Sequence, residues 1–71
     1  MKKYYYGLNA RVNLDYYNWD AEKLFDALDR LFLFVEHFRI DSCNQHCVGI
    51  TIKGVQFYIN RDNNIESVIF T

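Results

Sequence analysis

Seventy-one residues with a formal net charge of −1 allow a single domain, and a chain of this length buries little more than ~60% of its unfolded surface. Hydrophobic residues make up 51% and aromatic residues 18% of it, so large side chains are available for a dense core and disorder is disfavoured. A near-neutral balance argues against a general nucleic-acid binder, which needs an excess of Lys and Arg to displace counterions.

From Lys3 onward the residues alternate, with Tyr4, Tyr6, Leu8, Ala10, Val12 and Leu14 on one side. That is the period of a strand with one buried face, and a break at Gly7 to Asn9 would divide it into two short strands. Lys2 and Lys3 resemble the start of a signal peptide, but Tyr4 to Asn9 is not an apolar segment. The longest apolar run, Leu31 to Val35, is far short of the ~18 residues that cross a membrane. The expected location is the cytoplasm, the host's if the source is a phage, with both cysteines reduced.

The stretch Asn18 to Phe38 has helical period. Ala21, Leu24, Phe25, Leu28, Leu31, Phe32 and Val35 fall on one stripe, with Phe38 at its margin. Asn18 is the expected cap, and Asp20 and Glu22 suit the positive end of the helix dipole. Residues 1–14 carry Lys2, Lys3 and Arg11 against no acid, whereas residues 15–41 carry seven acids against Lys23, Arg30 and Arg39. The helix is therefore the acidic element. Opposite its core stripe lie Trp19, Lys23, Asp26, Arg30, Leu33 and His37, with Phe34 beside them. Large apolar side chains there either fold back under the protein's own loops or form a partner-binding stripe with charged neighbours.

Beyond a polar run at residues 41–46, Val48, Ile50 and Ile52 alternate, then Val55, Phe57 and Ile59, around Lys53-Gly54. A two-residue turn places all six on one face of a hairpin. Asn60 to Asn64 makes a second turn, and Ile65 to Phe70 a last strand. The predicted fold is an α+β two-layer domain over residues 1–71, one long helix packed on an antiparallel sheet, in the order β-α-β-β-β.

Cys43, His46 and Cys47, with His37 upstream, are the one soft-ligand cluster, but zinc would require adjacent residues of a strand to turn toward a single ion. The favoured reading has no metal and no cofactor: Cys47 packs as a small hydrophobe, and Cys43 and His46 face solvent. No glycine-rich phosphate loop is present, and no nucleophile has an orienting group, so no catalytic residue is assigned. The residues match no family motif. Size and composition, rich in residues with AT-rich codons, are of the kind found in small phage proteins that block a host enzyme or defence complex, such as anti-CRISPR proteins.

The expected function is accordingly a non-enzymatic protein-binding module, an inhibitor of phage or mobile-element type, acting through Trp19, Asp26, Arg30, Leu33, Phe34 and His37. Asp20, Glu22, Asp26 and Asp29 would then stand in for phosphates toward a nucleic-acid enzyme. The partner is a host protein or a second copy, with Asp26 and Arg30 pairing across a two-fold axis. No membrane partner is expected. The alternative is a single-stranded nucleic-acid-binding domain using Tyr5, Tyr58, Lys3 and Arg11 on the open sheet face.

Overall fold

The computed structural model describes residues 2–70, in the order β1 (Lys3–Tyr6), α1 (Ala10–Tyr16), α2 (Ala21–Leu31), β2 (His37–Cys43), β3 (Cys47–Ile52), β4 (Val55–Asn60) and β5 (Ile65–Phe70). Among these residues the strands form one sheet in sequence order, β1-β2-β3-β4-β5. β1 runs parallel to β2, and every other pair is antiparallel. The α+β class holds. The single long helix and the order β-α-β-β-β do not: two short helices form the crossover between parallel β1 and β2, and the sheet is mixed.

Both discrepancies arise where two periods fit one stretch. Ala10 and Leu14 lie on one face of a strand, but they are also four apart, which is one face of a helix. The helix wins, burying both and leaving Val12 exposed. Asn9 enters it with left-handed backbone, φ 62°. At Gly7 a Cβ would stand 3.0 Å from the carbonyl oxygen of Asp41, so a larger residue would push the backbone of β2 away by a few tenths of an ångström, and glycine lets the chain leave β1 this close to it.

The expected long helix ends at Leu31. Its cap is Asp20, whose carboxylate accepts from the Lys23 amide at 3.2 Å, while Asn18 is a left-handed hinge at φ 58°. Residues 37–43 are strand because Phe38 and Ile40 face the core. That alternation is hidden by a bulge. Ile40 pairs with Ile50 and Ser42 with Gly49, leaving Asp41 as the extra residue, so the next core residue is Cys43 instead of Ser42.

The hairpin forms as expected, with Ile52 opposite Val55. Lys53 and Gly54 have φ of 50° and 81°, the pair of positive values of a type I′ turn. Val48, Ile50, Ile52 and Ile59 are buried with Phe38 and Ile40 beneath Leu14, Leu24 and Leu28. Tyr4 stacks on Phe25 at 4.0 Å and on Phe38 at 5.4 Å between ring centroids. Burial first, and the nearby carboxylates of Asp29 and Asp26 second, hold its hydroxyl pKa above the usual value.

One cation ties three loops at the end of the sheet where β2 meets β3. Arg61, in the β4–β5 turn, donates from Nε to the Gln45 carbonyl at 2.7 Å, from Nη1 to Asn18 at 3.3 Å and from Nη2 to Tyr17. Its guanidinium lies 4.2 Å from the centre of the Trp19 ring. Trp19 Nε1 donates to the Asn44 carbonyl at 2.7 Å.

Two outcomes follow for chemical denaturation. Arg61→Lys retains charge but not the fork that spans three carbonyls, and is expected to lose about 1–3 kcal/mol, as much as Arg61→Met; full rescue by lysine would mean that only charge matters. Gly54→Val is expected to cost about 1–3 kcal/mol and Lys53→Ala less than about 0.5. Equal losses would place the turn elsewhere.

Candidate protein-binding surface

The chain that leaves α2 is gathered by Lys2. Its ammonium donates to the carbonyls of Phe32 at 3.0 Å, Leu33 at 3.3 Å and Val35, matching its three protons. It lies 3.5 Å from an Asp29 carboxylate oxygen and 5.4 Å from the Phe38 ring centre. Phe32, below, is wedged edge-on against Phe57 at 4.9 Å and Phe38 at 6.1 Å. The segment from Phe32 to Glu36 is thus fastened by backbone from one side and by an aromatic wedge from the other.

What this loop presents is apolar. Leu33 is 69% exposed and Phe34 96% exposed. Beside them a shallow groove of about 440 Å³ runs along Phe34, Val35, Glu36 and His37 to Lys53 in the β3–β4 turn. His37 keeps one ring face on Tyr5, with centroids 5.9 Å apart and Tyr5 Oη 3.3 Å from its Nδ1.

Of the six residues expected at a binding surface, Leu33, Phe34 and His37 are brought together here, and Arg30 lies in the last turn of α2 just before them. Asp26 is exposed on α2. Trp19 is elsewhere: it is 8% exposed, in the Arg61 clamp at the other end of the sheet. Its indole was placed on the outer face by a helix that begins at Asn18; the helix begins at Ala21, and the hinge at Asn18 turns Trp19 inward. Among the carboxylates read as phosphate stand-ins, Asp20 is engaged as the cap and Asp29 faces Lys2, while Glu22 and Asp26 are exposed on α2.

The open sheet face gathers less. Tyr5 and Lys3 are exposed on it, but Tyr58 is half-buried and lies over Gly49, where a Cβ would approach its ring to 3.1 Å. Arg11 belongs to the helix layer, paired with Asp15 at 2.9 Å. Arg39, the central cation of the face, is paired with Asp41 at 2.6 Å, and Asp41 also accepts from Thr51. The cleft there, lined by Asp41, Ser42, Gly49 and Tyr58, has a volume of about 40 Å³, room for a water or two.

The cysteines exchange their expected roles. Cys43 is buried through the bulge, and Cys47 is half-buried. Burial pushes the Cys43 thiol up to about 11, so it is protonated at neutral pH and a poor nucleophile. His37 and Cys43 stand at opposite ends of β2, and among the described residues no three His, Cys, Asp or Glu side chains are grouped as metal ligands. Nor does any described helix have the length and apolar character to cross a membrane.

Comparison of the chain with known protein families, with curated proteins and with solved structures finds no match.

Lys2→Met keeps the aliphatic stem and removes the three hydrogen bonds. Amide exchange at residues 33–36 is expected to accelerate at least about tenfold, since a hydrogen bond to a charged group is worth about 1.5–3 kcal/mol. Unchanged protection would show that the aromatic wedge alone holds the loop.

Proposed function

We propose that this chain is a non-enzymatic protein-binding module whose contact surface is the α2–β2 loop, with Leu33 and Phe34 as anchors and Arg30 and His37 beside them. One observation carries the reading: an almost fully exposed Phe34 sits on a loop held by Lys2 and the Phe32 wedge. An exposed aromatic on a floppy loop is common, and ordering it on binding costs affinity. An aromatic already ordered gives up little freedom, which is how interface anchors work. The groove alongside offers the converse shape, a recess that receives a partner's side chain between Glu36 and Lys53.

The acidic surface of α2, with Glu22 and Asp26 exposed, sets the charge of the target's rim as basic. A small inhibitor of a host enzyme or defence complex could use such a surface, which suits any partner with an apolar pocket in a basic surround.

Leu33→Glu and Phe34→Ala are expected to leave the melting temperature within a few degrees of the parent, because neither side chain is packed. Both should abolish capture of the partner from nuclease-treated host lysate. A collapsed melting temperature for Leu33→Glu would mean that the residue is covered; capture of the same protein by both variants would place the contact elsewhere.

A further inference from the structure

The two edges of the sheet are unlike. β1 is four residues long, begins with Lys3, and ends where Gly7 passes against the β2 bulge. β5 is six residues long, and every one of them is exposed, although four are large and apolar. Pairing places Ile65, Val68 and Phe70 opposite Ile59, Phe57 and Val55, on the helix side of the sheet. Ile69 points to the other side, opposite Gln56. The helices do not cover β5, all of whose residues are exposed, and Leu31 on the stripe of α2 is itself 42% exposed.

Isolated edge strands are normally guarded by Lys, by Pro or by a cover, because their unpaired amides and carbonyls recruit other strands. In β5 the guard is confined to Glu66, the charged extra residue of the β4–β5 bulge; Ser67 to Phe70 beyond it carry neither charge nor Pro. We infer that the edge of β5 pairs antiparallel with β5 of a second copy about a two-fold axis, forming a ten-stranded sheet across two chains.

Two observations select this occupant. Apolar side chains are exposed on both faces of β5. A partner helix laid on the helix side would cover Val68 and Phe70 and leave Ile69 bare, whereas an added strand flanks both faces. Centred on Ile69, the pairing sets Ile69 against its mate and Val68 against the mate's Phe70 twice, so apolar meets apolar on each face. Second, each copy has one such edge segment, so self-pairing closes at two copies, where β5 on β1 would propagate as a filament. The pairing engages only the short stretch beyond the bulge, less than the ~800 Å² per partner of a standard stable interface. The dimer is therefore reversible and its population depends on concentration.

Sedimentation velocity across a concentration series reads this directly. The parent chain is expected to pass from monomer to dimer as concentration rises toward the millimolar range, and Val68→Lys to remain monomeric with an unchanged circular dichroism spectrum. Should that variant misfold, Ile69→Cys in a Cys47→Ala background supplies the second test. Oxidation should then link two copies through position 69, whose cross-strand mate lies ~5 Å away in an antiparallel pair. A parent that stays monomeric throughout overturns the inference. So does a dimer that persists in Val68→Lys and dissociates in Leu33→Glu, which would put self-association on the α2–β2 loop. The inference stands apart from the anchor loop: Val68→Lys retains capture of a foreign partner, and Leu33→Glu retains the dimer.

Discussion

A sheet of five strands with only two short helices on one face cannot hold its loops by burial alone, and here two cations do it. Arg61 gathers the carbonyls of Tyr17, Asn18 and Gln45 at one end, and Lys2 those of Phe32, Leu33 and Val35 at the other. Both target carbonyls of connecting segments that run beyond a helix end or through a turn. Each also rests on an aromatic ring, Trp19 or Phe38, so the charge is partly shielded and its hydrogen bonds gain strength. Helix α2 is thereby pinned on both sides, at its joint with α1 by Arg61 and at its exit toward β2 by Lys2.

Two bulges then decide which side chains the core receives. The one at Asp41 returns Cys43 to the buried face and turns a carboxylate toward Arg39 and Thr51 on the open face. The one at Glu66 keeps Ile65 on the same face as Val68 and Phe70. The first lies under the helices and completes the core; the second lies beyond them and produces an apolar strip with nothing above it. The same device has opposite results because the helix layer ends between β3 and β5.

The hairpin of β3 and β4 was legible in the sequence because alternation and turn chemistry agree there, and Gly54 fixes the turn. The rest of the α2 stretch was ambiguous for a physical reason. Val35 and Phe38 continue a helical stripe, while Phe38 and Ile40 start a strand whose alternation breaks at Asp41. The parallel pairing of β1 with β2 joins residues more than thirty apart and leaves no local trace. Leu33 and Phe34 could be found by counting apolar residues opposite the stripe. Trp19 could not be excluded in the same way, because what buries it, Arg61 and the Asn44 carbonyl, is more than twenty residues away in the chain. Lys2, whose likeness to a signal-peptide start was set aside, had no assigned role, and nothing near it announced the segment after a helix as its partner. β5 read as a last strand, and no pattern within it tells how far a helix layer extends.

Both clamps grip the main chain, and this has a consequence for how the surface can change. A carbonyl oxygen is supplied by every residue type, so the shape of the segment 32–36 does not depend on which side chains occupy positions 33 and 34. Replacing Leu33 or Phe34 alters what the loop presents to solvent without altering how it is held. The fold thus separates a part that must be kept, one lysine and one aromatic wedge, from an exposed pair of positions whose side chains are free to vary.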